Sequence, residues 1–187
     1  MYLLTETASP FALERWAAFF ANFGQFAKGF FYTLGISIGA LIVALLLGLI
    51  FGAMSSTHNK VLRGISRVYV EIFQNTPLLV QFVVVFYGIS ILTDGHVMIP
   101  ISLTAILCVG VYTGAYISEI IRTGIEAVPK GQTEAALSQG FTYADTMRII
   151  ILPQAVRTIL PPLTNQVVNL IKNTSTVAII SGADIMF

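Results

Sequence analysis

The sequence predicts an all-α integral membrane protein, built as a bundle of transmembrane helices. Hydrophobic residues make up 56% of the chain and charged residues only 10%, whereas about a quarter of a soluble domain is charged. The mean hydropathy is +0.83, and long uncharged runs recur along the chain. A soluble domain is therefore excluded. The net charge of +1, without a cluster of basic residues, gives no reason to expect a nucleic acid partner.

The amino-terminal segment, residues 1–29, carries Glu6, Glu14 and Arg15 before any long apolar run, which argues against a signal peptide. Aromatic residues at three- and four-residue spacing share one helical face: Trp16, Phe19, Phe20, Phe23 and Phe26. We predict an interfacial helix that lies along the membrane lipid. A stripe packed on the protein's own spans is an equally good alternative.

Residues 30–187 form the predicted transmembrane domain, with four spans. The spans are residues 30–54, 78–92, 101–121 and 163–180. The first is uncharged throughout and long enough to cross a hydrocarbon core of about 30 Å. Pro77 breaks the chain before the second span, and Pro161 with Pro162 restarts it before the fourth. Paired glycines in the first span indicate close helix packing, within the bundle or between subunits.

The basic residues predict the orientation of these spans, because cytoplasmic loops are enriched in lysine and arginine. With the amino terminus outside, two basic residues are external, namely Arg15 and Lys28. The internal ones are Lys60, Arg63, Arg67, Arg122, Lys130, Arg148 and Arg157. The polar loop at residues 130–153 therefore faces the cytoplasm.

This loop is predicted to be a docking surface for a partner. Residues 132–139 favour a helix, and Gly140 follows where a glycine can adopt the left-handed conformation that ends it. A second helix begins after Thr142, with Asp145 three positions later as an acidic variant of the capping box. Pro153 is expected to mark the exit. Two short helices at a bend make a rigid knob on one membrane face.

Small residues on the first of these helices, Ala135 and Ala136, are expected to let the partner approach closely. Tyr112, Tyr116 and Glu119 lie on one face of the third span. A carboxylate near membrane depth is costly unless it is paired or hydrated, so Glu119 is a candidate functional residue. The alternative is that Glu119 sits one turn from the cytoplasmic interface and pairs with Arg122 or with a cation of another span.

The polar residues of the fourth span also share one face: Asn165, Asn169, Lys172 and Asn173, with Gln166 beside them. Because such side chains cannot face lipid, they face protein or water. One interpretation is the wall of a translocation pathway that offers amides and an ammonium to a zwitterionic solute. The other is interhelical hydrogen bonding across a partner subunit.

Several motifs resemble those of ATP-binding cassette import permeases. Glu134-Ala135-Ala136, Gly140 and Ile150-Ile151-Leu152-Pro153 resemble the EAA loop of that family. Three further segments are similar to the polar amino-acid branch, the histidine, glutamine, glutamate and arginine permeases. They are Asn75-Thr76-Pro77-Leu78-Leu79-Val80-Gln81, Gly114-Ala115-Tyr116-Ile117-Ser118-Glu119-Ile120-Ile121-Arg122 and Lys172-Asn173-Thr174-Ser175.

The resemblance implies a permease subunit in the bacterial cytoplasmic membrane that forms the pathway of an ATP-driven importer for polar amino acids. It implies docking to a separate ATPase subunit through Glu134, Ala135, Ala136, Gly140 and Pro153. It also implies a second permease subunit, identical or paralogous, and an extracytoplasmic substrate-binding protein. Because permeases of this branch usually carry a fifth span, we expect a final helix to be missing from this chain.

An enzymatic activity of the chain itself is not expected. No phosphate-binding loop of the Gly-x-x-x-x-Gly-Lys-Ser/Thr type is present. The two histidines, His58 and His96, fall on opposite membrane sides in this topology, so we predict no catalytic site, no metal site and no cofactor. Two alternatives stay open: a membrane scaffold or sensor subunit that recruits a cytoplasmic partner, and a transporter of another small amine such as an opine.

Overall fold

The computed structural model describes residues 13–180, and the predictions that concern residues 1–12 and 181–187 lie outside this range. Its elements are helices α1 (Leu13–Ala21), α2 (Phe23–Ser55), α3 (Lys60–Asn75), α4 (Leu78–Val83), α5 (Ile89–Leu92), α6 (Ile101–Glu126), α7 (Lys130–Ser138), α8 (Tyr143–Asp145) and α9 (Leu152–Asn173), with π turns at Val84–Gly88 and Thr146–Ile151 and a 3-10 helix at Thr174–Ile180. The described chain is helical without strands, as the sequence predicts.

Helices α2 and α6 form the centre of the bundle, and glycines let them approach closely. A methyl group placed on Gly48 would come 2.4 Å from Ile117 Cγ2, and one on Gly110 would come 2.8 Å from Val43 Cβ. The glycines of the first span therefore serve packing within the bundle at Gly39, Gly48 and Gly52. Gly35 has open space around it and takes no part in this contact.

The chain breaks sharply at Pro77, where α3 and the helical run Leu78–Leu92 meet at 97°. Thr76 is extended, with φ −100° and ψ 123°, because a residue that precedes proline is disfavoured in the helical region. The predicted break is confirmed. The second span was predicted at residues 78–92 alone. In the structure these residues are the second arm of the bent pair and qualify as a span only together with α3.

Helix α9 corrects two predictions about proline. Pro153 was predicted to mark the exit from the docking loop, and Pro161 with Pro162 was predicted to restart the chain. Instead, Pro153 lies in the first turn of α9, directly after a π turn, and both later prolines lie inside the helix. The π turn widens the helix where Pro153 offers no N–H, so the chain continues without a break.

By length and composition, α2 and α6 can each cross a membrane, and the bent pair adds a third span if it counts as one. The part of the chain that the structure describes thus gives two or three such helices, against the four spans predicted. The difference is the predicted fourth span, residues 163–180: α9 covers it only to Asn173, a 3-10 helix covers Thr174–Ile180, and α9 does not qualify as a span by composition. Its role as a span stays a prediction.

The amino-terminal aromatic residues divide between two helices, because α1 ends at Ala21 and α2 begins at Phe23. Their rings contact one another, for example Phe19 with Phe26 at a centroid distance of 4.9 Å. Trp16 and Phe20 are exposed on the surface of the bundle. This exposure favours the interfacial interpretation over packing on the protein's own spans.

Candidate functional site

The predicted turn at Gly140 is a Schellman motif. The Phe141 N–H donates to the Ala136 carbonyl at 3.1 Å, and the Gly140 N–H donates to the Leu137 carbonyl at 3.0 Å. Gly140 has a φ of +85°, a conformation that residues with a Cβ rarely adopt. The left-handed glycine predicted from the sequence is confirmed.

The second helix of the knob is capped by Thr142, also as predicted. Its hydroxyl oxygen accepts a hydrogen bond from the Asp145 N–H at 3.2 Å, and the hydroxyl donates to the Asp145 carboxylate at 2.6 Å. In a standard capping box the acidic side chain reaches back to the backbone of the cap residue. Here it accepts from the cap hydroxyl instead, which fixes the same turn.

The predicted docking residues do not all face outward. Glu134, Ala135, Gly140 and Pro153 are exposed, but only 3% of Ala136 is accessible. The expectation that Ala136 lets a partner approach closely is wrong. Its small side chain instead allows α7 to pack closely against the Thr146–Ile151 turn.

The predicted docking surface also exposes apolar side chains beyond the residues predicted from the sequence. Leu137 is 47% exposed, Tyr143 is 45% exposed, and Phe141 and Ile149 are also exposed on the knob. Large apolar side chains grouped on an otherwise polar loop are typical of a surface that a partner covers. For Leu137, Phe141 and Tyr143 the signal in the sequence was their position within three residues of Gly140, outside any apolar run, whereas Ile149 begins the apolar run Ile149-Ile150-Ile151-Leu152 and gave no such signal.

The knob lies on the same side of the bundle as the basic loop between α2 and α3. The His58 ring meets the Tyr143 ring edge-on, with the ring centroids 5.2 Å apart. This contact agrees with the predicted orientation, in which both loops are cytoplasmic. His58 stays exposed, as expected of a loop residue, and its ring contact with Tyr143 connects the two loops.

A small hydrophobic core connects the knob to the long helices. It consists of Val128, Ile151 and Ala155, and Ile159 packs against it. Next to this core, a methyl group on Gly124 of α6 would come 2.3 Å from Ile159 Cγ1 of α9. The second helix of the knob, α8, also continues through the π turn into α9 as one helical run.

The polar face of α9 is accessible in the single chain. Asn165, Asn169 and Lys172 are exposed, and Asn173 is partly exposed. Asn169 Nδ2 donates to Gln166 Oε1 at 3.1 Å, but Lys172 has no ion pair within residues 13–180. Leu170, by contrast, is buried and packs in the main core. One face of α9 therefore holds the bundle together, and the exposed side carries these polar groups with the apolar Val168 and Ile171 beside them.

The second group of candidate pathway residues lies on α6. The hydroxyls of Tyr112 and Tyr116 are hydrogen-bonded at 3.1 Å. Arg122 Nε donates to Glu119 Oε2 at 2.9 Å, and the same guanidinium also pairs with Glu126. The ion pair between Glu119 and Arg122 that this alternative named is therefore present.

Glu119 also faces a cavity between α3 and α6, with a volume of about 670 Å³. The charged residues around the cavity are Lys60, Arg63, Arg67, Glu71, Glu119, Arg122 and Glu126. Arg67 pairs with Glu71 along α3 at 2.7 Å, so the ion pairs here join residues of the same helix. In the described chain, no hydrogen bond or ion pair joins Tyr116 or Glu119 to the polar face of α9.

Comparisons with known proteins agree with this architecture. Residues 44–185 match the family described as binding-protein-dependent transport system inner membrane component. The chain is 41% identical to the probable glutamine ABC transporter permease protein GlnM of Bacillus subtilis, over 90% of this chain and 76% of that protein. It is 36% identical to the glutamate/aspartate import permease protein GltJ of Escherichia coli K12, over 86% of this chain and 70% of that protein.

The crystal structure of an amino acid ABC transporter with histidines superposes with a TM-score of 0.83 at 34% identity, over 90% of this chain and 78% of that one. The chain thus belongs to the family of binding-protein-dependent inner membrane components, and it is a permease subunit of an ATP-binding cassette import system in the cell membrane. The resemblance seen in the sequence is confirmed. Its relatives are permease subunits rather than enzymes.

Proposed function

We propose that this chain forms the translocation pathway of an importer for polar amino acids, with the polar face of α9 as its wall. The observation that carries the proposal is that Asn165, Asn169 and Lys172 are exposed on α9, while Leu170 on the same helix is buried. Polar side chains on a helix within a bundle need water or protein partners. Amides and an ammonium suit the carboxylate and ammonium groups of a zwitterion.

The knob is the proposed docking site for a separate ATPase subunit. Glu134 supplies a polar contact, and the small side chain of Ala135 lets the surface of the ATPase come close. The exposed Leu137 and Tyr143 supply apolar area. An apolar centre with a polar rim is the usual composition of a protein interface. Energy from ATP then reaches α9 through the continuous run of α8, the π turn and α9.

Two further partners are part of the proposal. A second permease subunit, identical or paralogous, covers the exposed side of α9 and completes the pathway. An extracytoplasmic binding protein delivers the solute, in keeping with the binding-protein dependence in the family's description. Alternating access follows when the ATPase subunits close and open, because the knobs then tilt the two α9 helices. The proposal assigns Tyr116 and Glu119 to the cytoplasmic side of this pathway.

Solute uptake by the reconstituted transporter is the direct test. The chain, its ATPase and its binding protein are placed in liposomes and supplied with a panel of labelled amino acids and one opine. ATP-dependent uptake of a polar amino acid is expected. Uptake of the opine alone would mean that the chain belongs to a transporter of a different solute class. Recruitment of the ATPase without uptake of any solute would favour the scaffold or sensor alternative.

A further inference from the structure

The segment Asn75-Thr76-Pro77-Leu78-Leu79-Val80-Gln81 includes a buried glutamine with an unusual set of partners. Gln81 is only 9% accessible. Its Nε2 donates to the Phe73 carbonyl at 3.1 Å and to the Thr76 carbonyl at 3.0 Å. Both acceptors lie before the 97° break at Pro77, whereas Gln81 lies after it. One side chain thus joins the two arms across the break.

The identity of the acceptors explains why an amide is needed at this position. In an α-helix the Phe73 carbonyl would accept from the N–H of residue 77, but Pro77 has none. Gln81 supplies the donor that the proline removes. Because Thr76 is extended, its carbonyl lies outside the hydrogen-bond pattern of a helix. The second N–H of the Gln81 amide donates a hydrogen bond to this carbonyl.

Each arm of the break is separately fixed to the rest of the bundle. On α3, Tyr69 Oη donates to the Val111 carbonyl at 2.7 Å, and Gln74 Nε2 donates to the Ala115 carbonyl at 3.2 Å. Both carbonyls belong to α6. On α4, Leu78 and Phe82 pack in the main hydrophobic core. The break is therefore a braced elbow rather than a free hinge.

We propose that Gln81 is a positioning residue for transport: its amide locks the elbow, so that α3 and α4 move as one rigid body. Helix α3 forms one wall of the cavity that Glu119 and Arg122 also line. A locked elbow keeps the position of this wall fixed relative to α4 during the transport cycle. The inference rests on the proposed function, because it assigns Gln81 a part in that cycle.

Spin labels on the two arms measure the rigidity of the elbow independently of solute uptake. Cys108, the single cysteine of the chain, is first replaced by alanine. Exposed Val61 on α3 and Ile91 on α5 are then replaced by spin-labelled cysteines, and the complete transporter is measured in lipid nanodiscs. With Gln81 present, we expect one narrow distance distribution, the same with and without ATP. With Gln81→Met, which keeps the length of the side chain but has no N–H, we expect a broad distribution.

Uptake kinetics provide the functional test of this positioning role. For Gln81→Met the maximal rate should fall by on the order of tenfold, as expected when buried carbonyls lose their donor, with little change in the half-saturating concentration. Gln154→Met is the matched control, because Gln154 Nε2 also donates to a helix carbonyl, that of Ile150, but at an exposed site. The control should match wild type in both measurements.

A second variant keeps the proposal testable if Gln81→Met fails to assemble. Pro77→Ala restores an N–H and also lets Thr76 return to the helical region, where that N–H can donate to the Phe73 carbonyl, so Gln81→Met should be less damaging in a Pro77→Ala background. Equal damage in both backgrounds would overturn the proposal, and so would a narrow distance distribution and wild-type uptake in Gln81→Met. If the proposed function itself fails, the wild-type transporter, with Gln81 intact, will show no uptake although the distance distribution between its spin labels is narrow.

Discussion

Gly124 of α6 lies directly against Ile159 of α9, and a methyl group at Gly124 would come 2.3 Å from Ile159 Cγ1. This contact joins the two helices next to the small core that supports the knob. Because α8 and α9 form one continuous helical run, the proposed coupling gives the Gly124–Ile159 contact the role of a pivot, about which a movement of the knob tilts α9 relative to α6.

Gly124→Ala should destabilise the complex by about 1–3 kcal/mol, the usual cost of forcing an extra methyl into a packed contact. Thermal unfolding of the purified complex measures the effect. Ile159→Ala in the same chain should recover part of the loss because it vacates the space. Gly24→Ala is the control, since no atom lies within 4 Å of a methyl group there. Equal effects of Gly124→Ala and Gly24→Ala would disprove the close contact.

Gly140→Val should weaken binding of the ATPase while the protein still inserts into the membrane. The cost of a left-handed residue with a Cβ is about 1–2 kcal/mol, and a β-branched side chain increases it. Co-purification of the ATPase and ATP-driven uptake measure the effect. Gly131→Val in the same knob is the control, because Gly131 is helical and has open space around it. Wild-type binding in Gly140→Val would contradict the docking assignment.

Glu134→Lys should reduce ATP hydrolysis coupled to transport more than Glu134→Ala does, because it reverses a charge on the docking surface rather than removing it. Membrane abundance should not change, since Glu134 is exposed. Gln132→Lys adds the same positive charge on the same helix without removing Glu134, and so serves as the control. If hydrolysis is unchanged in Glu134→Lys, Glu134 is a solvated helix residue.

Arg122→Gln should destabilise the complex more than Arg67→Gln. Arg122 pairs with two carboxylates and its side chain is 31% exposed, whereas Arg67 pairs with one and is 78% exposed. An exposed pair contributes at most about 1 kcal/mol to stability. Unfolding midpoints of the two variants in the same detergent decide the comparison. A larger loss in Arg67→Gln would contradict the ranking.

The local chemistry of the knob could be predicted from the sequence because it depends on single residues. Gly140 and Thr142 each have a conformational preference strong enough to fix a turn, and both turns form as expected. The inward position of Ala136 could not be predicted, because it depends on how α7 packs against the turn after Asp145. Periodicity within nine residues of a polar helix does not reveal which side is covered.

The path of the chain through Pro153, Pro161 and Pro162 was also beyond sequence reasoning. A proline favours a helix break in isolation, but packing of α9 on α6 and the π turn before Pro153 keep the helix continuous. The pairing of Glu119 with Arg122 was one of two alternatives, since a spacing of three residues permits the contact without requiring it. The structure decides in favour of the pair.

The central claim is that the polar face of α9 lines a water-filled pathway. Single cysteines at Asn169 and Leu170, in a Cys108→Ala background of the complete transporter in membranes, test it with a small water-soluble thiol reagent. We predict rapid labelling at Asn169, slowed by the transported amino acid, and slow labelling at Leu170, which is only 1% accessible. Equal labelling rates at the two positions, with no protection by any amino acid, would contradict the account.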